Sequence, residues 1–187
     1  MNVKATELPG HLIIEPTMHH DERGGFQETY RLDRYAELGI EQPFVQHNRS
    51  WSHQNVVRGL HAQARHPQGK LIRVTHGSLY DVAVDYRPDS PTFKKWVAVN
   101  LDAREGKEIW IPPQYAHGFC VLSDFASVEY LCTDYYHPDD QLSIRWDDEE
   151  LRIDWPVDNP VLSEKDARAP KLETVIERVY AMTPTSR

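Results

Sequence analysis

The segment VVRGLHAQARHPQGK, residues 56–70, gathers Arg58, His61, Arg65, His66 and Lys70 between strand-like residues. Three chemistries could use such a set: metal ligation, anion binding and proton transfer. A metal site in a β-barrel calls for two histidines at alternate strand positions, joined by a carboxylate and a third histidine. Gln63 occupies the position alternate to His61, and His66 falls in a loop beside Pro67. The pairs His19, His20 and His47, His53 lack an acidic or cysteine companion at usable spacing. No catalytic metal is therefore expected.

Anion binding rests on Arg58 and Lys70, which flank His61, and on Arg23 in DERGGFQE, where two glycines let backbone approach a ligand. Ordinary surface charge accounts for the same residues equally simply. Proton transfer rests on His61. If RGLHAQ is a strand, Arg58, Leu60 and Ala62 lie on one face and Gly59, His61 and Gln63 on the other, unless the glycine introduces a bulge. An inward histidine serves as a base near neutral pH once a partner fixes its tautomer; a histidine satisfied within the core is the plainer account. Asp81, Asp85 and Asp166 are the candidate partners. Asp166 also fits a capping box with Ser163, and Tyr130 and His117 sit in strand-like runs where core packing is the default.

The elements that must position these groups are mostly strands. HLIIEP, GFQETY, FVQHNRSWS, KLIRVTHGSLYDVAVDY, KWVAVNL, EIWIPP, HGFCVLS and SVEYLCTDYY carry β-branched and aromatic residues between glycine, proline and asparagine. His76-Gly77 and the stretch Asp102 to Gly106 each separate two alternating segments and are expected to be hairpin turns. Helices are expected at LDRYAELG and in a tail beginning at LSEKDARAPKLETVIERV. Many short strands at regular spacing favour a barrel or sandwich. With no repeat or linker, residues 1–187 are expected to form one domain.

Composition narrows the function. A net charge of -8 with no basic block argues against nucleic-acid or anionic-membrane binding, while leaving room for a small anion at a local cationic cluster. No apolar run approaches the ~20 residues of a membrane span, and the N-terminal apolar stretch is too short for a secretory signal, so a cytoplasmic protein is expected. Cys120 and Cys132 are expected to be buried and reduced.

Across nearly its whole length the chain resembles the dTDP-4-dehydrorhamnose 3,5-epimerases. The resemblance is carried by DERGGFQE, FVQHNRS, VVRGLHAQ, QGKLIRV, GSLYDVAVDYRPDSPTF, WIPPQYAHGF, EYLCTDYY, IRWDDEELRIDWP and LSEKDARAP, in that order. It implies an all-β-dominated fold, a cupin-type jelly-roll barrel with a few short peripheral helices, in a branch that has lost the cupin metal ligands. It also implies a cofactor-independent isomerase inverting carbons 3 and 5 of a dTDP-4-keto-6-deoxyhexose, in dTDP-L-rhamnose-type sugar biosynthesis. Its implied catalytic set is His61 as base, Asp166 as carboxylate partner, Lys70 at the keto oxygen and Tyr130 as proton donor to the opposite face. Arg23, Phe26, Glu28, Gln46, Asn48, Arg58, His117, Gln141 and Lys165 would hold the nucleotide diphosphate, with Tyr136 stacking near the base. Arg23, Phe26 and Glu28 would reach into the site of a partner subunit, implying a homodimer with exchanged N-terminal strands.

The chain departs from the family pattern at Ala62, where an aromatic residue is usual, at His47, where aspartate is frequent, and at Gln141, where glutamate is frequent. Two other functions are compatible with the motifs: a single-centre epimerase of a related nucleotide-linked 4-keto-6-deoxy sugar, and a sugar-nucleotide binding module without turnover. A non-catalytic module would most simply lack His61 or Tyr130, and both are present.

Overall fold

The computed structural model describes residues 1–182; residues 183–187, part of the expected single domain, lie outside the described residues. In chain order the strands are β1 (Asn2–Ala5), β2 (Leu12–Glu15), β3 (Met18–Asp21), β4 (Gly24–Gln27), β5 (Gln46–His53), β6 (Val57–Gln63) and β7 (Lys70–His76). They continue as β8 (Ser78–Asp85), β9 (Trp96–Asp102), β10 (Glu108–Ile111), β11 (Tyr115–Val121), β12 (Phe125–Cys132) and β13 (Gln141–Ser143). Three short helices, α1 (Leu32–Ala36), α2 (Glu164–Ala167) and α3 (Leu172–Met182), lie among them.

Two antiparallel sheets form the barrel: a six-stranded one in the order β1-β2-β10-β7-β12-β5, and a five-stranded one in the order β13-β6-β11-β8-β9. This is the jelly-roll architecture expected. Among the described residues, strands β3 and β4 pair only with each other. Inward residues of both sheets, among them Ile72, Val74, Leu79, Leu101, Ile109, Phe119 and Val128, make the central core. Burying each such side chain contributes roughly 1.5–3 kcal/mol. The outward face of the five-stranded sheet is also apolar: Val57, Leu60, Val82, Val84 and Ala116 pack with Trp155, Leu172 and Val175, so α3 covers that sheet from behind. A third cluster, around Tyr35, Ile40, Leu71 and Trp110, ties the α1 region to the six-stranded sheet.

The two expected hairpins are corrected by this topology. Strands β7 and β8 follow one another through Gly77 but belong to different sheets, and so do β9 and β10. Alternation tells which side chains face inward; it does not tell which strand supplies the partner, because that is settled by contacts distant in sequence. Gly77 turns the corner at φ +72°, and a Cβ there would lie 2.1 Å from the carbonyl oxygen of Phe125. The expected helical tail divides at Pro170 into α2 and α3.

Cys120 and Cys132 are buried and unlinked, as expected, but they lie apart: Cys120 packs behind the five-stranded sheet, whereas Cys132 accepts a hydrogen bond from Asn48 Nδ2 at 3.6 Å.

Candidate active site

The site begins with an irregularity in β6. His61 lies opposite His117 of β11, but the next registered pair is Arg58 with Phe119, so three residues of β6 span two of β11. The extra residue is a bulge, and it returns Arg58 to the face that carries His61. The simple alternation that placed Arg58 with Leu60 and Ala62 is thus broken; Leu60 packs on the covered outer face, Ala62 packs there and also borders the smaller recess, and Arg58 and His61 border the same recess. Gly59 permits this. It sits at φ +109°, and a Cβ on it would lie 2.6 Å from both Gly118 Cα and the carbonyl oxygen of His117.

His61 Nε2 lies 2.6 Å from Asp166 Oδ1. The carboxylate only accepts, so Nε2 carries the proton and Nδ1 is left as the basic nitrogen. Asp166 is held in turn by the Ser163 hydroxyl, which donates to Oδ2 at 2.9 Å, while the Asp166 N–H donates to Ser163 Oγ at 3.1 Å. The expected capping box and the histidine partner are therefore one and the same residue. Burial pushes the Asp166 carboxyl up, but His61, the Ser163 hydroxyl and the Gly59 N–H together outweigh it and hold the group below the usual carboxylate value.

The facing sheet supplies Lys70, at the start of β7, and Tyr130 of β12. Two adjoining recesses, of about 270 and 320 Å³, share His61, Lys70, Tyr130, Tyr136 and Gln141 in their walls. Burial pushes the Lys70 ammonium below its ordinary value, opposed by Cys132 and Asp81. Burial likewise raises the Tyr130 phenol, with Cys132 adding and Arg58 opposing, so the hydroxyl keeps its proton at neutral pH. Among the described residues, neither the Lys70 ammonium nor the Tyr130 hydroxyl has a hydrogen-bond or ion-pair partner in the protein.

The other expected residues divide into two groups. Arg58, His117 and Lys165 line the larger recess, Gln46 and Asn48 the smaller, and Tyr136 and Gln141 both. Gln46 Oε1 accepts from the Tyr136 N–H at 2.9 Å, Gln46 Nε2 donates to Asn48 Oδ1 at 2.9 Å, and the Tyr136 hydroxyl donates to Gln141 Oε1 at 2.7 Å. Lys165 Nζ donates to the same oxygen of Gln141. Arg23, Phe26 and Glu28 are not brought to the recess of their own chain. Arg23 pairs with Asp21 at 2.5 Å, Phe26 is 70 % exposed, and Glu28 pairs with Arg34 at 2.8 Å.

Sequence reasoning missed a second imidazole–carboxylate pair. His117 Nε2 lies 2.8 Å from Asp81 Oδ2, and among the described residues Asp81 Oδ1 has no hydrogen-bond partner. Asp81 had been a candidate partner for His61; its place on β8, two sites along the registered ladder from His117, was the missing information. Of the departures, Ala62 borders the smaller recess, Gln141 organises the rim, and His47 faces Glu129 at 3.4 Å outside both recesses.

What this arrangement can do is deprotonate a carbon from one side, stabilise the resulting anion, and protonate from the other. The comparisons agree with that chemistry. Residues 5–174 match the family model described as dTDP-4-dehydrorhamnose 3,5-epimerase. The chain is 47% identical over 179 residues to the dTDP-4-dehydrorhamnose 3,5-epimerase of Escherichia coli, covering 94% of this chain and 97% of that one. It resembles the crystal structure of dTDP-6-deoxy-D-glucose-3,5-epimerase from Legionella pneumophila, in complex with dTDP-4-keto-L-rhamnose, with TM-score 0.92 and 47% identity over 95% of this chain and 96% of that one. A more distant likeness is the 3'-monoepimerase ChmJ of Streptomyces bikiniensis in complex with dTDP-quinovose, with TM-score 0.87 and 32% identity over 94% of this chain and 89% of that one. With a carboxylate-paired histidine on one sheet, a lysine and a tyrosine on the other, and matches over nearly the whole chain in sequence and fold, the chain belongs to the dTDP-4-dehydrorhamnose 3,5-epimerase family.

Proposed function

We propose that this isomerase inverts carbons 3 and 5 of a dTDP-4-keto-6-deoxyhexose, by two rounds of the same proton chemistry. His61 Nδ1 takes the hydrogen from the carbon beside the keto group; the C–H electrons become the enolate double bond, and negative charge moves onto the former keto oxygen. Lys70 stabilises that oxygen. Tyr130 then returns a proton to the opposite face, and the charge collapses to the ketone with the centre inverted. Asp166 holds the His61 ring and stabilises it when protonated. The step is balanced by side chains alone and draws on no cofactor. One observation carries the reading: His61 borders the recess from the five-stranded sheet, while the unpartnered Lys70 and Tyr130 border it from the six-stranded sheet.

Arg58, His117 and Lys165 bring positive or hydrogen-bonding groups to the recess for a diphosphate, with Gln46, Asn48, Tyr136 and Gln141 on the nucleotide side. Exposed Phe26 and Arg23, on a ribbon paired with neither sheet, support a homodimer in which Arg23, Phe26 and Glu28 complete the partner's site. The acidic surface and a chain in which no described helix is long and apolar enough to cross a membrane fit a single-domain cytoplasmic enzyme that binds neither nucleic acid nor membrane. The likeness to a 3'-monoepimerase keeps single-centre inversion as the second reading. Proton NMR with dTDP-4-keto-6-deoxyglucose in deuterated water separates them. Deuterium at carbons 3 and 5 is expected; a single deuteron at long times means single-centre chemistry, and none overturns both.

A further inference from the structure

Beside the recess, two loops distant in sequence bring His66, Asp134 and His137 together, with one ligating atom from each within 4.8 Å of the others. We propose that this trio is a divalent transition-metal site, suited to Zn²⁺, separate from the proton-transfer residues.

The scaffold is built rather than incidental. Gln63, buried on β6, donates from Nε2 to the backbone carbonyls of His66, at 2.6 Å, and Tyr135, at 3.1 Å, and its Oε1 accepts from the His137 N–H at 2.8 Å. A single amide thus fixes the backbone of both histidines. Buried Asp140 accepts from the His66 N–H at 2.8 Å, so the first loop is pinned a second time. The rings of His66 and His137 stack with centroids 4.2 Å apart and an interplanar angle of 23°. Among the described residues no ring nitrogen of either histidine is engaged in a hydrogen bond, and the only close carboxylate is Asp134, with Oδ2 3.8 Å from His66 Nδ1. Asp134 Oδ1 accepts from the Tyr135 N–H at 2.7 Å, which orients the carboxylate and leaves Oδ2 for a metal.

Two imidazoles and one carboxylate form a borderline donor set that favours zinc-like ions over magnesium or calcium, and three protein ligands leave one position for water. Ligand atoms on a tetrahedral zinc stand about 3.4 Å apart. The three donor atoms here, within 4.8 Å of one another, are carried by side chains that are exposed or half-buried. A bound ion would join the loop after β6 to the turn after β12, whose Tyr136 borders the substrate recess. The site therefore couples metal occupancy to the rim on the nucleotide side, leaving the chemistry of His61, Lys70 and Tyr130 untouched.

Titration of the metal-free full chain with ZnCl₂ by calorimetry, in a non-coordinating buffer, tests this. One equivalent is expected, with affinity reduced at least about tenfold in each of His66→Asn, His137→Asn and Asp134→Asn, since even losing a hydrogen bond to a ligand costs about 10–100-fold. His61→Asn should bind zinc like the parent. Co²⁺ provides a second readout, its visible absorption being expected in the parent and in His61→Asn but not in the trio variants. Thermal melts of the metal-free variants establish that they fold. The proposal is overturned if the parent takes up no zinc, if the folded His66 and His137 variants bind as the parent does, or if His61→Asn is the variant that loses the ion.

Discussion

The two sheets equip the recess in opposite ways. The five-stranded sheet offers two imidazoles, each against a buried carboxylate: His61 with Asp166 at 2.6 Å and His117 with Asp81 at 2.8 Å. The six-stranded sheet offers Lys70 and Tyr130, both shifted by burial and, among the described residues, with no such partner. A base needs a defined tautomer and support for the charge it acquires, and a paired carboxylate gives both. A proton donor and an anion-stabilising ammonium need their hydrogens directed at the ligand, and a competing carboxylate would divert them. Within the first sheet the two pairs also differ. Asp166 has both oxygens satisfied and its histidine is 29% exposed to the recess; Asp81 has one orphaned oxygen and its histidine is 11% exposed. On the proposed mechanism the first pair serves turnover and the second holds the ligand.

Substitutions can break this contrast, beginning with the base. His61→Asn should lower turnover by about 10⁴-fold and abolish solvent exchange at both carbons, the upper end of what a positioned base contributes; normal exchange measured by NMR would remove His61 from the role. Tyr130→Phe should be nearly as damaging to inversion, about 10²–10⁴-fold, yet should spare exchange, because His61 can return a solvent-derived proton to the face it came from. Equal loss of exchange and inversion would count against Tyr130 as donor. Asp166→Asn is expected to cost about 10²-fold in kcat, through lost orientation and charge support rather than loss of the base. If it instead lowered stability and left kcat intact, capping would be its whole function.

The second pair should respond more mildly. His117→Asn is expected to raise KM about tenfold with kcat little changed, the size of one hydrogen bond to a charged ligand; a collapse of kcat would place it with His61. The smallest effect on turnover is expected at His11, buried near His117, where burial first and the charge of His117 second push the imidazole down to about 4. The folded protein thus keeps His11 neutral while the unfolded chain protonates it below its ordinary value of 6.5. The stability this contributes is present above pH 6.5 and is lost as pH falls towards 4, by about 3 kcal/mol in all. His11→Asn should flatten the stability profile in that window in denaturant melts at constant pH. An unchanged slope would show that His11 carries its proton in the fold.

Much of the site was legible because its residues sit in local patterns. His61 to Lys70 is one segment, and Ser163 to Asp166 announced a helix cap whose Asp166 also anchors His61. What was illegible depended on long-range register. Nothing local says that β7 leaves β8 for β10 and β12, that Gly59 opposes Gly118 closely enough to force a bulge, or that Asp81 falls beside His117 rather than His61. Nor does the segment around His66 show its companions, because Asp134 and His137 lie on a turn reached only after several intervening strands. Arg23, Phe26 and Glu28 were legible as motif residues, but within a single chain Arg23 and Phe26 line only a recess of their own ribbon, and none of the three borders that of His61.

The proposed division of base and acid between two sheets would also make the enzyme a reporter on its own assembly. Each sheet can form its ladder and still hold only half of the proton path, since stacked sheets must close to about 10 Å before the two halves face one ligand. During refolding, strand formation seen by circular dichroism should therefore run ahead of recovered turnover, and the lag between them measures the docking of one sheet on the other.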